Sequence, residues 1–363
     1  MSAALPVFPW DTLADATAAS RAHPDGIVDL SVGTPVDPVA PVIRDALAAA
    51  SSAPGYPTTA GTPALRAAAV TALQRRYGIT DVAEAAVLPV IGTKEAIAWL
   101  PTLLNLGRDD LVVVPELAYP TYDVGARLAG AEVVAADSLT QLGPRSPRLV
   151  FVNSPSNPTG AVLGVDHLRK VVAWARERGA LVASDECYLG LGWDPDASPV
   201  SVLHPSVCEG DHTGLLAIHS LSKTSSLAGY RAGFVAGDPA VVAELLAVRK
   251  HAGMMVPTPI QAAMVAALDD DAHEKVQRER YARRREVLLA AVLAAGFTVD
   301  HSEAGLYLWA TRDEPCRDTV ASLAQLGILV APGEFYGPRG ARHVRMALTA
   351  TDERIDAAAA RLI

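Results

Sequence analysis

HSLSKTSSLAGYRAGF, residues 219–234, places Lys223 directly after an apolar run, Leu215–His219, that reads as a buried strand. A lysine at the end of a core strand loses hydration, which lowers its pKa and makes the amine a better nucleophile toward an aldehyde. Ser220 and Ser222 add hydroxyl donors, and Arg231 brings a permanent charge eight residues after the lysine. Together these groups could bind a phosphate dianion. Taken alone, a lysine in this position is more often a surface residue, so its surroundings must decide.

Upstream of this stretch, short apolar runs alternate with helical ones. Strands are predicted at Val87–Ile91, Leu111–Val114, Glu132–Ala135, Leu149–Val152, Leu181–Ser184, Leu215–His219 and Ala232–Ala236. Their Val, Ile and Leu content suits strands covered on both faces. Helices are predicted at Lys94–Leu104, Tyr122–Leu128 and Val165–Arg178, and the alternation implies a mostly parallel sheet flanked by helices. The last two strands leave no room for a crossover helix, which allows one of them to run antiparallel. After Pro239 a long helix over Ala272–Ala295 gives way to strand-like pieces at Leu306–Ala310, Ile328–Val330 and His343–Ala347. The chain therefore divides into a large domain, 42–270, and a smaller α+β domain made of 1–41 and 271–363. Residues up to about Pro41 carry few helix signals and are expected to pack with the C-terminal part.

The S-x-S-K run with an arginine eight residues beyond the lysine resembles the cofactor site of class I/II aminotransferases, and other motifs follow in that family's order over nearly the whole chain. The resemblance implies the aspartate-aminotransferase-like fold (fold type I), pyridoxal 5′-phosphate as cofactor, and a Schiff base on Lys223. NSPSNPTG, 153–160, matches the family's N-P-T-G turn, and Asn157 is then the partner of the cofactor's ring 3′-oxygen. SDECY, 184–188, supplies Asp185 for the pyridine nitrogen and Tyr188 for the same ring oxygen. IGTKEAIAWL, 91–100, sets Gly92, Thr93 and Lys94 at a helix start, where backbone N–H groups attract phosphate. VPELAYPTY, 114–122, resembles the family's P-x-Y-P-x-Y segment, with Tyr119 lying on the cofactor ring. YPTTAGTPALR, 56–66, resembles the element whose tyrosine, here Tyr56, reaches the phosphate of a neighbouring subunit. That implies a homodimer with shared active sites. Without the resemblance, each segment also reads as an ordinary turn, helix cap or core aromatic.

Two elements concern substrate. HVRMALT, 343–349, places Arg345 where the family binds the substrate α-carboxylate through a two-pronged contact, and LSVGTP, 30–35, brings Gly33 toward the same group. As a bare pattern Arg345 is a strand arginine facing solvent. SDECYLGLGWD, RKHAGMMVP, SEAGLYLWATR and APGEFYG resemble the actinobacterial-type N-succinyldiaminopimelate aminotransferases. The resemblance thus implies transamination between glutamate and N-succinyl-2-amino-6-oxopimelate, a step toward diaminopimelate and lysine. Transamination of alanine, aspartate or an aromatic acid, and a lyase on the same fold, are the competing readings.

The composition agrees with a metabolic enzyme. Half of the 363 residues are hydrophobic, and 31 Lys and Arg against 40 Asp and Glu leave a formal charge of −9, which disfavours nucleic acid and anionic membrane as partners. Small amino and keto acids are the expected partners. The basic run Arg283-Arg284-Arg285 reads as a solvated helix face. Cys187, Cys208 and Cys316 lie far apart without metal-ligand spacing, so they read as thiols of a reducing compartment and no metal is expected. No apolar run approaches the roughly 18 residues of a membrane span, and no secretory leader is visible, so a cytoplasmic location is expected. A ligand-sensing regulator of similar fold would carry a DNA-binding segment, for which there is none before Trp10 or after Arg361.

Overall fold

The computed structural model describes residues 5–363; residues 1–4 of the N-terminal segment assigned above to the smaller domain lie outside the described residues. Its main sheet has seven strands in the order Val87–Ile91, Ala232–Gly237, Leu215–Ser220, Leu181–Asp185, Leu149–Asn153, Leu111–Val114 and Glu132–Ala135. Six are mutually parallel or separated only by the one reversed strand. Ala232–Gly237 runs antiparallel to both of its neighbours, as its short connection to Leu215–Ser220 allowed.

Alternate residues of each strand enter different cores, the period-two geometry of a sheet buried on both sides. Val113, Val150, Val152 and Val182 face helices Pro63–Tyr77, Val165–Glu177 and Thr258–Asp269. Val112, Val114, Phe151 and Ala183 face helices Thr93–Leu103, Thr121–Ala129 and Pro239–Ala252. Glu132–Ala135 is the exception: it is an edge strand with half-buried or exposed residues, whereas Val87–Ile91 at the opposite edge is mostly buried.

The chain's two ends share another core. Val28–Asp29 pairs in parallel with Ile328–Leu329. A four-stranded antiparallel sheet follows the order Ala331–Pro332, Val344–Ala347, Tyr307–Thr311, Thr298–Asp300. Leu13, Val28 and Leu30 pack there with Tyr281, Leu288 and Val292 of the 24-residue helix Asp271–Ala294. The N-terminal segment holds more helix than its sequence signals: Ala14–Arg21 is helical without a side-chain cap, and it packs on helix Cys316–Gln325. Tertiary contact supplies there what local propensity did not.

The basic run is not a uniform solvated face. At about 100° per residue, three consecutive helical side chains point in three directions. Arg283 stays half-exposed, but Arg284 is only 2% exposed. Arg284 donates to both carboxylate oxygens of Asp37 at 2.8 and 2.6 Å and to Asp352 at 2.6 Å. Gln277 donates to Asp37 as well, at 2.8 Å. This cluster joins the N-terminal segment, the long helix and helix Asp352–Leu362. Arg284→Ala would leave Asp37 buried without its cation, at a cost of about 3 kcal/mol. Arg283→Ala, which removes two solvent-exposed pairs, to Asp352 and Asp356, should stay within about 0.5 kcal/mol of wild type in denaturant unfolding. Equal midpoints for the two variants would mean that the buried cluster adds no stability.

Candidate active site

Three parallel strands end in register: Asn153 lies beside Asp185, and Asp185 beside Ile218, two residues before Ser220. Open sheets of this kind bind ligands outside the carboxyl ends of their strands. A cavity of about 470 Å³ lies there. Every site residue expected from the sequence except Gly92 and Tyr56 lines it: Gly33, Thr93, Lys94, Tyr119, Asn157, Asp185, Tyr188, Ser220, Ser222, Lys223, Arg231 and Arg345. Gly92 stands behind Arg231, and a Cβ there would overlap the guanidinium, so the absence of a side chain makes room for the charge. Its φ of 75° also favours glycine. Tyr56 is 97% exposed and outside the cavity.

The lysine loop has support on both sides. Lys223 donates to the Gly33 carbonyl, and its own carbonyl accepts from the Tyr281 hydroxyl at 3.1 Å. Burial lowers the Lys223 pKa, so more of the amine is neutral near physiological pH. Gly33 is held close by chemistry as well as backbone: a Cβ there would run into the Tyr307 hydroxyl. Arg231 occupies a left-handed conformation, φ 56°, closing the turn Ala228–Tyr230, and donates to the Ala228 carbonyl at 2.9 Å.

Asp185 is buried and accepts from the Tyr122 hydroxyl at 2.7 Å and from the Cys187 N–H at 3.2 Å. Burial raises its pKa, and those hydrogen bonds only partly oppose the rise. A buried carboxylate of this kind is stabilised by a cationic partner. Asn153 connects it to the substrate side. Its amide donates to the Asp185 carbonyl at 3.0 Å, and its oxygen accepts the Asn157 N–H at 2.7 Å. Asn157 in turn accepts from Arg345 at 2.9 Å.

Arg345 is buried rather than facing solvent, as the bare pattern would have had it. Its guanidinium lies 3.9 Å from the Tyr307 ring centre and 4.9 Å from that of Tyr336, and it donates to the Ser31 carbonyl at 2.7 Å. Its Nε has no hydrogen-bond partner among the described residues. A buried arginine with unspent donor capacity on a cavity wall suits a carboxylate ligand. Tyr188 shares a 3.0 Å hydrogen bond with Tyr307.

Sequence reasoning missed several contributors. Tyr122 stands inside the quoted P-x-Y-P-x-Y segment and was available to it. Tyr307 lies in the strand-like piece Leu306–Ala310, a continuous apolar run that carried no site signal. Cys187 lines the cavity and contacts the Thr93 hydroxyl at 3.3 Å, although it read as an ordinary thiol. Glu95 holds the Gly92 turn from behind, accepting from the Ile91 N–H at 3.2 Å and from the buried Arg249 at 2.7 Å. Phe8 and Trp10, for which the sequence had no signal, also line the cavity.

Such an arrangement is that of a pyridoxal-phosphate enzyme with the aspartate-aminotransferase-like fold. The chain belongs to the aminotransferase class I and II family, whose model matches residues 25–362. It is 79% identical to a probable aminotransferase of Mycobacterium tuberculosis, over 100% of this chain and 86% of that protein. It is 61% identical to the 4-dedimethylamino-4-oxo-anhydrotetracycline transaminase of Streptomyces rimosus, over 99% of each. Among solved structures, a probable N-succinyldiaminopimelate aminotransferase from Thermus thermophilus superposes with a TM-score of 0.87 at 27% identity, covering 98% of this chain and 99% of that one.

The family depends on pyridoxal 5′-phosphate, and this cavity fits the group. A lysine of lowered pKa, a carboxylate that burial leaves in need of a cation, and the space that Gly92 leaves beside Arg231 are the features such a ligand would use. The raised Asp185 pKa has a consequence for the cofactor-free protein. The carboxyl favours the fold while protonated, and that contribution is lost as pH rises through the folded-state value. Cofactor-free Asp185→Asn should therefore melt several degrees above cofactor-free wild type near neutral pH, and the gap should close at acidic pH. The same variant should bind pyridoxal phosphate more weakly. A cofactor-free variant that melts lower at neutral pH would mean that the bonds from Tyr122 and Cys187 outweigh burial.

Proposed function

We propose that this aminotransferase exchanges the amino group of glutamate with N-succinyl-2-amino-6-oxopimelate, forming N-succinyl-diaminopimelate. The observation that carries the reading is the buried, incompletely bonded Arg345 beside Asn157, which suits the α-carboxylate common to both substrates. The subgroup stretches, especially residues 184–194 and 301–312, support the choice of acyl substrate. So does the printed name of the T. thermophilus relative.

Bound pyridoxal phosphate supplies an aldehyde that carries the amino group and a ring that accepts the electron pair left at the substrate Cα. The remaining work falls to side chains. Lys223 would hold the cofactor's aldehyde, and its free amine would be the base that takes the substrate Cα proton and the acid that gives it back. Asp185 keeps the pyridine nitrogen protonated. Asn157 and Tyr188 bond the ring oxygen, and Tyr119 covers the ring face. Arg231, Ser220, Ser222 and the backbone N–H groups of Gly92, Thr93 and Lys94 take the phosphate. Gly33 closes on the α-carboxylate opposite Arg345. Tyr56, fully exposed in one chain, serves the phosphate of a second copy, and domains 42–270 and 1–41 with 271–363 meet around the substrate.

A second reading follows from the S. rimosus relative, whose printed name is for transamination of a fused-ring ketone. The aromatic residues Phe8, Trp10 and Tyr119 in the cavity wall favour it. Assay of N-succinyl-diaminopimelate against a fused-ring ketone acceptor separates the two, and simple amino acids set the baseline. N-succinyl-diaminopimelate with 2-oxoglutarate should exceed alanine, aspartate and phenylalanine by at least about tenfold in kcat/KM. Arg345→Ala should weaken glutamate and the succinylated donor together. Equal turnover of a simple amino acid would sink the acyl assignment and leave the aminotransferase intact.

Assembly has its own test. Lys223→Ala subunits mixed with Tyr56→Phe subunits should gain activity over either parent after exchange, because the site that keeps Lys223 and Arg345 receives an intact Tyr56 from the Lys223→Ala subunit. An active monomer by sedimentation would exclude sharing.

A further inference from the structure

The cavity has one wall that the aminotransfer reading leaves without a role. A short turn, Pro9–Leu13, brings Trp10 to the cavity, with Phe8 just before it. The turn is built in place. Thr12 bonds the Pro9 carbonyl at 2.7 Å, Arg317 donates to the Thr12 hydroxyl at 3.0 Å, and Arg317 is itself paired with Glu334. Trp10 packs on Phe335, with ring centres 5.3 Å apart, and Phe8 lies 5.6 Å from Trp10. The Lys94 ammonium sits 5.4 Å over the Phe8 ring, joining this wall to the helix that begins at Thr93.

Two features ask for an occupant. Phe8 is 51% exposed, although it borders a concave site where apolar surface is usefully covered by ligand. Trp10, only partly buried, lines the same wall, so the cavity presents two neighbouring aromatic rings for a ligand to cover. A substrate as short as glutamate is already held at its α-carboxylate by Arg345 and has little body with which to cover two aromatic rings.

We propose that Phe8 and Trp10 form a subsite for the part of the substrate beyond its reacting carbon. It takes a methylene or ring body long enough to cover both rings. The body of an N-acylated substrate is long enough to do so. The inference rests on the aminotransfer reading and adds a selection by length: apolar contact with the two rings favours extended substrates over short ones.

The test uses the holoenzyme and the half-reaction from the amino-donor side. Donors are glutamate, the unbranched series from 2-aminobutyrate to 2-aminooctanoate, and N-succinyl-diaminopimelate. Wild type should show kcat/KM rising with chain length along the series. In Phe8→Ala, Trp10→Ala that rise should flatten. KM for N-succinyl-diaminopimelate should increase at least about tenfold, with kcat and the KM for glutamate changing less than about twofold. Trp10→Phe, which keeps an aromatic ring on the wall, should flatten the series little and leave KM for the acylated donor close to wild type. A length dependence that survives the double variant, or is absent from wild type, would overturn the subsite. So would equal losses for glutamate and the long donors, which mark a structural role. If wild type rejects N-succinyl-diaminopimelate yet the unbranched series behaves as stated, the acyl reading fails and the subsite stands.

Discussion

A single chain of hydrogen bonds organises the site: Tyr122 to Asp185, Asp185 through Asn153 to Asn157, Asn157 to Arg345, and Arg345 to the Ser31 carbonyl. Its members come from a helix, the ends of two parallel strands, the antiparallel sheet and the N-terminal segment. Each link satisfies a buried polar group that would otherwise cost about 1–3 kcal/mol. The group that would meet the cofactor nitrogen and the group that would meet the substrate carboxylate are therefore set relative to each other by one network. Displacing any member leaves its neighbours buried and unpaired, which gives the chain its directional rigidity.

Around this network burial does electrostatic work of opposite kinds. It pushes the Asp185 carboxyl up and the Lys223 amine down, so each prepared group is held away from its solution behaviour. Such perturbations cost stability unless a ligand relieves them. Arg345 solves the same problem differently, by stacking on Tyr307 and Tyr336. Aromatic faces accept a desolvated guanidinium while leaving its planar donors free for a carboxylate. The more ordinary stability resides elsewhere, in the two apolar cores on the sheet faces and in the buried Arg284–Asp37–Asp352 cluster. That cluster leaves the site's own charged groups unneutralised.

The N-terminal segment contributes beyond its size. It carries Gly33 to Lys223, the Ser31 carbonyl to Arg345, Asp37 to Arg284, and Phe8 and Trp10 to the cavity wall. None of these contacts is local. A segment with weak propensity is ordered because partners far along the chain satisfy it, and a segment ordered in that way is well placed to distinguish one substrate from another.

By itself the sequence determined the seven strands of the main sheet to within a residue or two at their ends. Continuous apolar runs between helical stretches have few other solutions in a chain of this length. The short Ser220–Arg231 connection also allowed one of the last two strands to run antiparallel, and the structure identifies it as Ala232–Gly237. Resemblance to a known family, carried by motifs in that family's order, assigned Lys223, Asp185, Asn157 and Arg345 to one site. Only the tertiary structure decided which faces those residues present. Arg345 turned inward because two tyrosines from distant segments covered it. Arg284 turned inward while Arg283 did not, because helical rotation aimed it at Asp37, 247 residues away in the chain. Cys187, Tyr307, Phe8 and Trp10 acquired their positions in the same way. Local pattern records period and propensity; which distant side chain closes over a given residue is settled only when the segments pack together.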